Sequence, residues 1–198
     1  MSAAAISVHD IPKAWTLPYR GKVAMASLIV AESAIFTIFV VAYLFYLDKS
    51  LTGPTPKEVL ETPIFFTICL LSSSITVHFA SKFLERNNRP AFLSLWSLTV
   101  VLGGLFLFGT GQEWHRLIYE HGLTISTNLF GTTYYSLVGL HAFHVSAGLI
   151  MLTVVLAFGL AGRVHGDQFH RVDVLALYWH FVDAVWVVVF TVVYIVGR

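Results

Sequence analysis

The sequence predicts an all-α polytopic membrane protein, a single bundle of five transmembrane helices. Three observations predict it. Hydrophobic residues make up 57% of the 198 positions and charged residues only 12%, about half the roughly 25% of an average soluble domain. The mean hydropathy is +0.76. The apolar residues also fall into five long runs divided by short polar loops, each run near or above the ~20 helical residues that cross a ~30 Å hydrocarbon core. Five such spans use most of the chain and leave no room for a separate soluble domain. A net charge of +1 offers no basic excess of the kind that binds nucleic acid, and Cys69, the only cysteine, excludes an intrachain disulfide and any Cys-rich metal site.

Residues 1–22 contain Asp10, Pro12, Pro18, Lys13, Arg20 and Lys22 but no apolar core of the signal-peptide kind, so they read as a cytoplasmic tail. The first span, 23–47, carries Glu32 close to the bilayer midplane. An ionised side chain there costs about 2.5–3.5 kcal/mol on insertion scales, so the group is neutral or faces a partner. It is either a proton-bearing carboxyl or a hydrogen-bonded acid that locks two helices. After the breakers Gly53, Pro54 and Pro56, the second span, 63–84, sets Thr67, Ser74 and His78 on one stripe. Packing explains such hydroxyls better than a solute pathway does. "ERNNRP" closes that span, and the third, 91–111, ends in "GGLFLFGTGQEWHRLIYEHG". Gly103 and Gly104 allow close helix approach, while Gln112, Glu113, Trp114 and His115 reach the outer interface, with Glu113 the member that turns inward.

The fourth span, 129–161, is half as long again as the hydrocarbon requires and is expected to tilt or project. Leu137, His141, His144, Gly148 and Met151 share one of its faces, which must be buried in protein. On the fifth span, 174–196, "YWHFVDAVW" places His180 and Asp183 one turn apart, where each can satisfy the other's charge or hydrogen bonds. Eight of the twelve Lys and Arg residues (Lys13, Arg20, Lys22, Lys82, Arg86, Arg89, Arg163 and Arg171) lie on the amino-terminal side of the bundle, against Lys49, Lys57, Arg116 and Arg198 on the other. The positive-inside rule then puts the amino terminus in the cytoplasm and the carboxyl terminus outside.

His141 and His144 raise the question of metal or haem. A metal needs three or four converging ligands, and a bis-histidine haem needs a wide pocket where Tyr134, Tyr135, Phe143, Trp179, Phe181 and Trp186 instead supply bulk. A structural hydrogen-bond network fits better, with a proton or headgroup role and a metal or haem site as the alternatives. Glu113, Asp173 and Asp183 are the carboxyls the two histidines could meet. Metal: none is expected.

The chain as a whole resembles subunit III of haem-copper respiratory oxidases in its short five-helix form. "MASLIVAESAIFTIF", "ETPIFFTICLLSSSITVHFA", "GTGQEWHRLI", "FGTTYYSLVGLHAFHVSAGLIML" and "LALYWHFVDAVWVVVFTVVYI" are similar to that family's successive helices. The match around Tyr178 to Asp183 is the most specific. Glu61 stands where the family usually has asparagine and Asp173 where it has glutamate. The resemblance implies a non-catalytic subunit in the bacterial inner membrane. This chain would carry no cofactor of its own, with haem and copper in partner subunits, catalytic subunit I as the main contact, and subunit II and small subunits in the same complex. It also implies bound phospholipid in a cleft between the helices and support of proton uptake, with Glu32 facing that cleft or the partner and His141, His144, His180 and Asp183 in an internal polar network. Depth and helical face add Glu32, Ser74, His78 and Glu113 to that network. Charge and location make Arg20, Lys22, Arg163 and Arg171 the candidates for lipid headgroups. The reaction of the complex would be oxygen reduction to water, with electrons from cytochrome c or quinol and proton pumping. The alternatives are the related accessory protein of nitric oxide reductase, a stand-alone proton-coupled transporter, which the lack of inverted repeats disfavours, and a di-haem cytochrome b.

Overall fold

The computed structural model describes residues 19–50 and 53–197. The expected tail up to residue 18, including Lys13, lies outside the described residues, as does Arg198. Among the described residues, five helices are long and apolar enough to cross a membrane. α1 spans Arg20–Tyr46, the short α2 Pro56–Val59, α3 Ile64–Glu85, α4 Arg89–Tyr119, α5 Leu129–Leu160 and α6 Phe169–Phe190. A 3₁₀ turn at Gly166–Gln168 leads into α6, and a π-helical turn at Thr191–Val196 extends it.

Local chemistry sets the ends of these helices. Asn87 takes a positive φ of 57° after α3, and the Asn88 N–H returns to the Phe83 carbonyl at 2.8 Å, a left-handed C-terminal stop that reverses the chain. The Asn88 side chain then caps α4 by accepting from Ala91 N–H, and Asn128 caps α5 by accepting from Gly131 N–H at 2.8 Å. Gly162, at φ 77°, stops α5 in the same left-handed way, with Arg163 N–H bonded to the Phe158 carbonyl. In the first loop, which reads from sequence as breakers only, Pro56 starts the one-turn α2. Thr55 N–H donates to the Glu58 carboxylate at 3.0 Å, and this bond with the Thr55 side chain holds that carboxyl below its usual range.

α6 is the centre of the bundle. Half of its most apolar stretch is buried, against 11% for α1, and it packs on α1, α3 and α5. α3 and α4 form the tightest antiparallel pair, α4 continues onto α5, and α1 lies outside against α5 and α6. Trp179 of α6 is fully buried. Its indole N–H donates to Ser73 Oγ of α3 at 2.8 Å, and its ring faces Gly103 of α4 and Gly148 of α5. A β-carbon at either glycine would lie 2.9 Å from the indole. Gly104, also expected at a close approach, faces open space instead. Further ties repeat the pattern: Trp96 N–H to the Leu152 carbonyl at 2.9 Å, Trp186 N–H to Thr67 Oγ1 at 3.2 Å, and Thr76 to Thr99 at 2.7 Å.

Two helices differ from the expected spans. α4 continues from 111 to Tyr119 because no breaker precedes Gly122 and because Glu113 and Arg116 find partners inside the protein. α6 begins at Phe169 rather than 174, and just past its first turn Asp173 pairs with Lys22 at 2.7 Å.

Substitution at the glycines tests the wedge. Gly103→Ala and Gly148→Ala each force a methyl against an indole that cannot retreat and are expected to cost roughly 1–3 kcal/mol by overpacking. Gly104→Ala is expected to be neutral or to stabilise by up to about 1 kcal/mol through helix propensity. Thermal unfolding midpoints in mild detergent measure the contrast, and equal losses at positions 103 and 104 would remove the wedge from this role.

Candidate functional site

The expected single polar network resolves into three separate clusters, each joining different helices. The first joins α1 to α5. Glu32, midway along α1, meets His144, midway along α5, at 3.1 Å between Oε2 and Nε2. His144 Nδ1 lies 2.8 Å from the Leu140 carbonyl, an acceptor only, so Nδ1 carries a proton. The Nε2 contact with Glu32 therefore shares a single proton, held either as carboxylic acid and imidazole or as carboxylate and imidazolium. Phe36 covers the His144 ring at 5.0 Å between centroids. The side chains are 9% and 22% exposed, so the pair is not sealed by this chain.

The second cluster joins α3 to α6. The Ser74 hydroxyl donates to Asp183 Oδ2 and lies 2.9 Å from His180 Nδ1. A hydroxyl has one proton to give. With that proton on the aspartate, Ser74 accepts from His180 Nδ1–H. The histidine and aspartate expected to satisfy each other directly are thus bridged by a serine of another helix. His78 packs its ring 6.1 Å from that of His180. Asp183 is 3% exposed, and its Oδ1 is buried without a partner among the described residues.

The third cluster lies toward the opposite end. The Tyr194 hydroxyl reaches both Glu113 oxygens, at 2.8 and 3.0 Å, and approaches the Tyr134 hydroxyl at 3.5 Å. Glu113 does turn inward. Trp114, expected as an interfacial anchor, packs against Tyr135 at 5.5 Å with its N–H buried. Beside it a cleft of about 340 Å³ is lined by Gln112, Glu113, Arg116, Glu61 and Phe66. Arg116 pairs with Glu61 across it and donates to the Val59 carbonyl. Tyr194, Tyr134 and the Arg116–Glu61 pair were not singled out from the sequence as site residues. The available signal was the phenols inside apolar runs, because a buried tyrosine hydroxyl requires a partner.

His141 belongs to none of these clusters. It is fully buried, and neither ring nitrogen has a hydrogen-bond partner among the described residues. Trp186 stacks on it at 5.0 Å and 27°, while Phe106 and Phe36 meet it edge-on. None of Glu113, Asp173 and Asp183 meets either histidine: His144 takes Glu32, His141 takes an aromatic box, and Asp173 takes Lys22. Among the described residues no three His, Cys, Asp or Glu side chains converge as metal ligands. The basic residues lie at the end of the bundle that holds the start of α1. Arg20 is exposed, Lys22 is engaged by Asp173, and Arg163 and Arg171 line a cleft of about 350 Å³ with Val155, Phe158 and Leu175.

Comparison with known proteins gives this geometry a family. The family model described as cytochrome c oxidase subunit III matches residues 19–198. The chain is 35% identical over 168 residues to cytochrome c oxidase subunit 3 of Alkalihalophilus pseudofirmus, covering 84% of this chain and 82% of that one. It is 39% identical over 171 residues to the protein of the same name from Synechocystis, covering 84% and 72%. It is also 32% identical to cytochrome bo(3) ubiquinol oxidase subunit 3 of Pseudomonas aeruginosa, covering 85% and 81%.

The two histidines of α5 separate experimentally. His144→Phe leaves Glu32 at mid-depth without its partner and is expected to cost roughly 1–3 kcal/mol. His141→Phe removes two unpaired nitrogens from an aromatic box and is expected to be neutral or stabilising, as replacement of an unsatisfied polar group by an apolar one of similar shape can be. Unfolding midpoints of the two variants in detergent measure this, and a loss at His141 equal to that at His144 would mean the ring makes a polar bond.

Proposed function

The chain belongs to the cytochrome c oxidase subunit III family and so to an oxidase complex with other subunits, and from that premise we propose that it is a non-catalytic subunit of a bacterial terminal oxidase. In this reading it sits in the inner membrane with its amino terminus in the cytoplasm. The haem and copper that reduce oxygen to water belong to partner subunits, above all to catalytic subunit I. This chain steadies that subunit, holds phospholipid, and supports proton uptake.

One observation carries the reading. The Glu32–His144 pair lies midway across the bundle and is incompletely covered, with the Glu32 side chain 22% exposed. Hydrocarbon cannot solvate a shared proton or an ion pair, so polar side chains at that depth face protein or a water-filled path. The two helices that carry the pair are long apolar spans, and α1 has only Phe36 and Tyr43 buried within this chain. A neighbouring subunit on this side completes the cover and anchors the loosest helix. Phospholipid has a chemically suited place at the end bearing Arg163 and Arg171. Their cleft pairs two guanidiniums with apolar walls, as a phosphate headgroup and its acyl chains require. The names of the relatives, which include both a cytochrome c oxidase and a ubiquinol oxidase, favour an oxidase over the nitric oxide reductase and transporter readings.

Glu32→Ala tests the reading in the purified complex. The expected result is intact haem and copper spectra, together with weaker retention of this subunit in detergent or a shorter active life during turnover. Direct loss of a haem or copper signal would place Glu32 at a redox centre and overturn a purely supporting role.

A further inference from the structure

A cleft of about 310 Å³ opens between the end of α3 and the start of α6. It is lined by the charged side chains Lys22, Lys82, Glu85 and Asp173, by His78, which is exposed, and by the half-buried His180 and buried Ser81. The space is enough for several water molecules. Ser81 is 3% exposed, and its hydroxyl has no partner among the described residues. His180 joins the cleft to the interior. Its ring lines the space while its Nδ1 is engaged by Ser74, whose hydroxyl reaches Asp183 at half the height of the bundle. The charged and titratable groups nearest this path are Lys22 from α1, His78, Lys82 and Glu85 from α3, and Asp173 from α6 itself.

We propose that this cleft is a proton inlet and that Asp183 is the protonatable store at its closed end, reached through His180 and Ser74. The step balances. A proton from water in the cleft binds His180 Nε2, the Nδ1 proton passes to Ser74 Oγ, and the proton that Ser74 held passes to Asp183 Oδ2. The aspartate becomes a neutral carboxylic acid and the histidine returns to neutral with its proton on Nε2. Rotation of the imidazole and the serine hydroxyl resets the relay. Such a chain needs a carboxyl whose proton has no other exit, and Asp183 meets that condition. Among the described residues Ser74 supplies its only hydrogen bond, and its second oxygen is buried without a partner there. Trp186 and Trp179, both fully buried, lie one turn to either side of it on α6. The inlet belongs to this chain alone and does not depend on which subunit covers α1, so it stands or falls separately from the supporting role above.

Infrared spectroscopy of the intact purified complex tests the inlet, with transfer from H₂O to D₂O as the probe. The expected result is a carbonyl band of a protonated carboxyl that is lost in Asp183→Asn, displaced in Asp183→Glu, and shifted by deuterium in the unaltered complex. Ser74→Ala is expected to keep the band and slow its deuteration by roughly a hundredfold, with Ser74→Thr restoring the rate. Leu177→Trp, which fills the cleft in front of His180 while leaving Ser74 and Asp183 unaltered, is expected to slow it as well, whereas Val187→Trp on the exposed face of α6 is not. The proposal is overturned if no protonated-carboxyl band follows Asp183 in either variant, or if deuteration proceeds at the original rate in both Ser74→Ala and Leu177→Trp.

Discussion

Trp179 is the contact on which the rest of the bundle depends. In lipid the apolar faces of two helices gain little by leaving the solvent, so association rests on close packing and on hydrogen bonds between helices. The indole of Trp179 supplies both at one point. Its plate fits where α4 and α5 present Gly103 and Gly148, and its N–H finds Ser73 of α3. One side chain of α6 thereby fixes the distances to three neighbours. The half-buried character of α6, the depth at which Ser74 meets Asp183, and the place of Trp186 beside His141 all follow from that docking.

The buried polar groups then specify which helix lies beside which. Glu32 and His144 join α1 to α5, Ser74 and Asp183 join α3 to α6, and Glu113 and Tyr194 join α4 to the end of α6. A slip of one turn between any of these pairs would leave polar atoms unpaired in hydrocarbon, at several kcal/mol each. The correct register is the arrangement in which these groups are consumed together. His141 is the exception, held by ring contacts, and its place on the same face as His144 reflects shared burial rather than shared chemistry.

The five spans were legible because length and apolarity are properties of each segment alone. The mid-depth position of Glu32 and the burial of the histidine face of α5 were legible for the same reason, since depth and helical phase are local. Partners were not. Glu32 and His144 are 112 positions apart, and Glu113 and Tyr194 are 81 apart. A stripe tells which face is buried but not which neighbour covers it. The end of α4 shows the cost of that gap. "GQEWHR" reads as an interface because of its charges, yet the helix runs on through it because Tyr194 and Glu61 satisfy those charges from elsewhere in the chain. Asp173, whose contact was open from its departure from the family pattern, finds Lys22 at the start of α1.

α1 shows how an incomplete subunit can still be a well-specified one. Two polar contacts at different heights, Lys22 with Asp173 at one end and Glu32 with His144 at mid-span, fix its rotation and register, while only Phe36 and Tyr43 are buried behind it. Two such points determine the orientation of a helix but supply little packing energy, and the upper one stays partly open. The strength of that upper contact depends on what surrounds it. Coulombic attraction between two charges rises several-fold as the effective dielectric falls from that of water toward that of a protein interior. Covering α1 with a neighbouring subunit would strengthen the attraction in the carboxylate–imidazolium form, while the carboxylic acid–imidazole form keeps its hydrogen bond without the cost of burying charge. Cover of α1 and the proton's place in the pair would thus be coupled, which is a physical reason to keep an ionisable pair where an apolar contact would have been simpler.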